Sequence, residues 1–171
     1  MNFAGQFIFI SSFGRLLQAH SDNGEMHASQ ETQNCGTEER WNVYVWPNGT
    51  VSIQNYSNNK FLCDSDNTQV VCDRDQVGDW EIWTLYVVNR KVALKGSHNF
   101  WITAQAPGDN AQFGGEVIAN RPSSNPPGAW EQFEMVPSPG IPMANNSWWN
   151  TVSNIIQTAE QLAPIVTAFV P

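Results

Sequence analysis

The sequence predicts an all-β fold of three four-strand units about a pseudo-threefold axis, followed by a C-terminal amphipathic helix. Three observations predict it. A tryptophan followed three residues later by another aromatic closes each of three segments, at Trp41/Tyr44, Trp80/Trp83 and Trp130/Phe133. The landmarks upstream of each pair keep one order while the loops between them change length, which is how a repeat architecture reads in sequence. The aromatic fraction of 12%, with 8 Trp and 9 Phe, suits strands and large core side chains more than helices.

The elements follow in order. Each unit opens on a strand marked by apolar residues two apart: Ile8 and Ile10, Val51 and Ile53, Val92 and Leu94. An adjacent apolar doublet marks the second strand, as Leu16-Leu17, Phe61-Leu62 and Trp101-Ile102. The third is Met26-His27-Ala28-Ser29-Gln30, then Val70-Val71-Cys72-Asp73-Arg74, then Val117-Ile118-Ala119-Asn120-Arg121, and the fourth contains the aromatic pair. The units span about 5–47, 48–90 and 91–137, one domain over 1–137. Polar insertions at 106–116 and 122–128 lengthen the third.

At 171 residues the chain has the size of one domain, and such a chain buries roughly 70% of its unfolded surface. Sixteen acidic against eight basic residues give a net charge of −8. That charge repels phosphate backbones and anionic lipid, so nucleic acid is excluded as an expected partner. Arg15 follows the short apolar stretch at 7–10, no signal-like core precedes a cleavage site, and no run reaches transmembrane length. These features predict a cytoplasmic protein, released if at all by a non-classical route. The odd set Cys35, Cys63 and Cys72 points the same way. Cys63 and Cys72 fall on successive strands and would be the pair if the protein were oxidised. Sequons at Asn48, Asn55 and Asn145 matter only in a secreted chain.

Short strands with turns between them imply a sandwich or barrel, and three equivalent units narrow this to a threefold barrel with a capping hairpin from each unit. The segments Val92-Ala93-Leu94-Lys95, Phe100-Trp101-Ile102, Val117 to Arg121 and Ala129-Trp130-Glu131-Gln132-Phe133-Glu134 carry a family resemblance. It is repeated in Val71-Cys72-Asp73-Arg74 and Gly78-Asp79-Trp80-Glu81-Ile82-Trp83. The pattern resembles the β-trefoil, and within it the fascin-like group, neighbour to the amaranthin-type agglutinins and the hisactophilins. The Gln-x-Trp signature of ricin-like trefoils is missing. The resemblance covers 3–137. Unit one departs most, with Gln30 where the others have Arg and Asn42 where they have Glu. A single copy of a fascin-like domain would have to oligomerise to crosslink filaments.

Trp41, Trp80 and Trp130 read either as sugar-stacking platforms or as the repeated core layer that closes the barrel. The core reading is the stronger, and predicts that replacing one by Ala costs about 3–5 kcal/mol. Enzyme signals are scarce: His20, His27 and His98 lack metal-ligand spacing, and no nucleophile elbow, phosphate loop or zinc-protease motif is present. A non-catalytic binding protein without metal or cofactor is therefore expected. Asp22-Asn23, Asp66-Asn67 and Asp109-Asn110 stand between the second and third strands of their units. Their side chains can engage adjacent sugar hydroxyls, or form ordinary hairpin turns, which is the commoner role. Asn58, Asn59 and His98 form an alternative rim, and Trp46, Tyr56 and Phe100 are candidate stacking aromatics. Arg74 and Arg121 are expected to pair with acidic residues at the barrel surface. Lys60, Lys91 and Lys95 are too few for the basic patch an acidic filament such as actin needs.

From 138 to 171 the one charged side chain is Glu160. Trp148, Val152, Ile155, Ala159, Leu162, Val166 and Phe169 follow a helical period, widened by Trp149, Ile156 and Ala163, with Asn146 or Ser147 as N-cap and Pro164 as a late breaker. Three homes are open to this stripe: another copy of the chain through Trp148, Val152, Ile155, Ile156, Leu162, Val166 and Phe169, its own barrel, or a membrane. The first is favoured. The last is disfavoured, because the polar face has no Lys or Arg. The leading expectation is a lectin that binds glycans in shallow loop sites and gains multivalency by oligomerising. The alternatives are a fascin-like actin-binding or other protein-interaction module, and a pore-forming or toxin-like protein with a trefoil targeting domain.

Overall fold

The computed structural model describes residues 1–66, 68–88, 90–106 and 115–140. The expectations for Asn67, Asp109, Asn110 and the apolar tail concern residues outside these. Twelve strands form: β1 (Asn2–Ile10), β2 (Arg15–Ala19), β3 (Met26–Glu31), β4 (Trp41–Val45), β5 (Val51–Asn55), β6 (Phe61–Asp64), β7 (Val70–Arg74), β8 (Thr84–Val88), β9 (Lys91–Lys95), β10 (Phe100–Ala104), β11 (Gly115–Pro122) and β12 (Glu134–Pro137).

The first and last strands of each unit pair with each other, at Phe7↔Trp41, Val51↔Trp83 and Val92↔Phe133. Successive units pair through β4 with β5, β8 with β9, and β12 with β1. Six strands therefore close into a barrel, leaving few open edges. The remaining strands make three hairpins, β2–β3, β6–β7 and β10–β11, with a register shift beside the apolar doublet of each. At the cap, the Cys72 N–H donates to the Gly24 carbonyl at 2.8 Å and the Ala119 N–H to that of Thr68 at 2.8 Å, while β3 meets β11 at Ala28↔Gly115. Ala28, Cys72 and Ala119 occupy equivalent buried positions where the hairpins converge, and only small side chains leave room for that approach. This is the β-trefoil arrangement that the repeats predict.

The core falls into threefold layers: Phe7, Val51 and Val92; Phe9, Ile53 and Leu94; Leu17, Leu62 and Ile102; Val43, Leu85 and Met135. Two sequence expectations are corrected. In β1 the core residues are Phe7 and Phe9, not Ile8 and Ile10, because pairing Phe7 with Trp41 fixes which face turns inward. The closing aromatic layer is Trp41, Trp83 and Phe133, all fully buried, whereas Trp80 is 36% and Trp130 47% exposed. The indole N–H groups of Trp41 and Trp83 donate to the carbonyls of the equivalent residues Leu17 and Leu62, each at 3.0 Å.

The true repeat is Gly-x-x-Glu-x-aromatic: Gly36, Glu39 and Trp41; Gly78, Glu81 and Trp83; Gly128, Glu131 and Phe133. In each, the buried glutamate's Oε2 accepts from the glycine N–H at 2.7 Å. Glu39, not Asn42, thus fills the acidic position of unit one. Arg74 and Arg121 lie 3.9 and 3.5 Å from Glu81 and Glu131, the expected pairing with acidic residues, though the glutamate of each pair is buried and only the arginine reaches the surface. Cys63 and Cys72 are free. Leu62 stands opposite Cys72 and Cys63 opposite Val71, so the two thiols point to opposite faces of the hairpin and cannot bridge.

Candidate functional site

The register that buries Trp83 turns Trp80 outward, onto the junction between units two and three. There it meets the β9–β10 turn: the Trp80 and His98 rings are 5.5 Å apart and tilted by 54°. The turn is held from beneath by Asp64, at the end of β6 and 1% exposed. Its Oδ2 accepts from the His98 backbone N–H at 2.9 Å, lies 3.2 Å from His98 Nδ1 and 3.5 Å from Ser97 Oγ. Asp66, on the β6–β7 turn, brings its carboxylate to 3.8 Å from His98 Nε2. Units one and three carry Ala19 and Ala104 where unit two has Asp64. A Cβ on Gly96 would lie 2.1 Å from Asp64 Oδ2, so the bare glycine is what admits the carboxylate.

Beside the indole an open concavity of about 320 Å³ is lined by Arg74, Gly78, Asp79, Trp80 and Glu81. Cys63, beneath Arg74 and Glu81, has its pKa pushed up to about 12 by burial and then by Glu81, against the opposing Arg74. It is a packed thiol, not a nucleophile. The surface thus presents an indole face between an imidazole–carboxylate group and a guanidinium. A flat apolar platform with fixed donors and acceptors at its edge suits a ligand with one apolar face and a polar rim. Among the described residues, no three His, Cys, Asp or Glu side chains gather as metal ligands would.

Of the residues singled out from sequence, the fold brings His98 and Asp66 together, and sequence reasoning missed Asp64 and the exposure of Trp80. The others lie elsewhere. Asn59 takes a positive φ of 58° in its turn, as Gly14 (69°) and Asn99 (64°) do at the equivalent positions. Asn58 donates from Nδ2 to the Cys72 carbonyl and accepts from the Lys60 N–H, so its amide already holds the hairpin. Asp22 and Asn23 are exposed at the β2–β3 turn, where Asn23 Oδ1 accepts from the Glu25 N–H as in an ordinary Asx turn. Trp46 sits on the β4–β5 turn with its indole N–H on Ser52 Oγ at 2.8 Å. Tyr56 is exposed. The Asn55 side chain is buried and donates to the Glu38 carbonyl, which closes that sequon, while Asn48 is exposed.

Barrel, cap and repeated closing motif define the chain as a β-trefoil. Among solved structures it is similar to ThreeFoil, a designed 3-fold symmetric protein, at 16% identity, with 78% of this chain and 99% of that one covered and a TM-score of 0.63. It is also similar to a mosquitocidal holotoxin, at 11% identity and a TM-score of 0.63, matching over 77% of this chain, which spans only 16% of the toxin. No protein-family model and no curated protein matches the sequence.

Proposed function

We propose that the protein is a non-catalytic carbohydrate-binding protein whose principal site is the Trp80 junction. The observation that supports it is the partly exposed indole packed against His98, which two carboxylates flank. A pyranose lays its C–H face on Trp80, its hydroxyls donate to Asp66 and exchange hydrogen bonds with His98, and Arg74 borders the far side. Asp64 acts as a positioning residue by fixing the turn that carries His98. The assignment to the fascin-like group, the cytoplasmic location and self-association through Trp148, Val152, Ile155, Ile156, Leu162, Val166 and Phe169 belong to the same proposal. The test is a glycan array probed with the full chain and with Trp80→Ala. Retention of defined glycans by the first, lost by the second with the fold intact, is the expected result. A blank array at high protein concentration would refute the reading.

A second reading is favoured by the likeness to the holotoxin alone: a recognition module in a toxin-like protein, with the apolar tail engaging lipid. Dye release from neutral liposomes that ceases on deleting 138–171 would support it over the first.

A further inference from the structure

Resting on that reading, we infer that each chain carries two sugar positions, the second at Trp130 with Phe13, and that the third position related by the pseudo-symmetry is lost. Trp80 and Trp130 hold the same place in the Gly-x-x-Glu motif, one residue before the buried glutamate, and each lies where one unit meets the first turn of the next. Trp80 meets His98, on the first turn of unit three. Trp130 meets Phe13, on the first turn of unit one, with ring centroids 5.8 Å apart and tilted by 57°. The supporting frame is the same at both. Gly78 and Gly128 donate to Glu81 and Glu131 at 2.7 Å, and Arg74 and Arg121 border the motif with 43% and 42% of their side chains exposed.

The first junction breaks the pattern at the residue that matters. Glu38 stands where the other units have tryptophan. Its carboxylate accepts from the Ser21 N–H at 2.9 Å and from Gln18 Nε2 at 2.8 Å, and Gln30 replaces the arginine. That junction has neither an indole face nor a free carboxylate to offer. The two remaining sites differ in character. The Trp80 site has His98, Asp66 and Asp64 beside the ring and reads hydroxyl positions. The Trp130 site has a phenyl ring there, so it binds by stacking, more weakly and with less discrimination. A single chain then bridges two glycans without oligomerising.

The test titrates the ¹⁵N-labelled full chain with lactose and, separately, with tri-N-acetylchitotriose, following the indole N–H signals assigned by Trp→Phe substitution. With the saccharide that binds, the Trp80 and Trp130 signals shift saturably with separate dissociation constants, while the core indoles of Trp41 and Trp83 stay in place. Trp130→Ala abolishes the weaker transition and leaves the Trp80 curve unchanged. Movement of Trp80 alone would overturn the inference and leave the lectin reading standing. So would a third saturable transition removed by Tyr56→Ala, the exposed aromatic of the first junction. If neither signal moves and the glycan array is also blank, the lectin reading fails and the inference with it.

Discussion

Two tryptophans three residues apart should respond to the same substitution to different degrees. Trp83→Phe tests the buried one with the residue that unit three already uses at Phe133. The change removes roughly 40 Å³ of side chain from a fully buried position, which at about 24 cal/mol per Å³ is about 1 kcal/mol. It also removes the indole donor to the Leu62 carbonyl, and losing one buried hydrogen bond adds about 1–2 kcal/mol. The expected loss is about 2–3 kcal/mol, a large part of a typical domain's stability. Trp80→Phe removes the same volume, but from a site with a third of its surface in water and no indole hydrogen bond among the described contacts, so its cost stays below about 1 kcal/mol. Urea denaturation followed by far-ultraviolet circular dichroism measures both at unchanged m-value. Equal losses, or a larger one at Trp80, would refute the assignment of Trp83 to the core layer and with it the repeat register.

Burial pushes Cys72 up to about 12, as it does Cys63, and both side chains are fully buried; iodoacetamide should modify only the partly exposed Cys35 in the native chain and all three after denaturation, as mass spectrometry would show. Gly24 has φ +73° and a Cβ there would lie 2.6 Å from the Cys72 carbonyl oxygen, whereas Gly14, φ +69°, has open space; Gly24→Ala should cost about 2–3 kcal/mol and Gly14→Ala about 1 kcal/mol in urea titrations. Burial works against ionisation of Glu38, but the bonds from Ser21 and Gln18 outweigh it and hold its pKa below the ordinary value. Its contribution is therefore present at neutral pH and lost as pH falls through that lowered value, and Glu38→Gln should lower the urea midpoint at pH 7 but not in strong acid. Burial raises the pKa of Glu39, which the Gly36 N–H only partly offsets. Its charge weakens the fold above that raised value, so Glu39→Gln should hold or raise the midpoint at pH 7, with the difference vanishing as pH falls and wild type regains its proton.

The triplication and the strand order were legible because apolar doublets and strand runs survive changes of loop length. The register of the closing motif was not. Trp80/Trp83 and Trp130/Phe133 satisfy the spacing of tryptophan and aromatic whichever member is buried, so that signal is blind to a three-residue slip. The residues that decide it are Glu39, Glu81 and Glu131, and a glutamate in sequence reads as surface; its burial becomes plausible only once a glycine N–H three residues earlier is seen to satisfy it. The Phe-Ile-Phe-Ile run at 7–10 hides its inner face for a similar reason, since both faces are apolar and alternation carries no sign.

With the register corrected, departures from symmetry become informative. Ala19 and Ala104 show that the second hairpin strand closes with a methyl group, so the fold does not require a carboxylate at Asp64. Burying one there costs desolvation that its bonds to the neighbouring turn must offset, and it requires Gly96 where the equivalent positions carry Ser11 and Asn55. Two coordinated changes that stability alone does not demand have one visible effect: they hold the His98 turn against Trp80. On the proposed carbohydrate-binding reading, that effect serves recognition of the ligand. Asp64→Ala, the residue of the sister units, should therefore leave the urea midpoint within about 1 kcal/mol of wild type while weakening glycan retention at the Trp80 site. A large loss of stability with binding unchanged would assign the carboxylate to the fold instead.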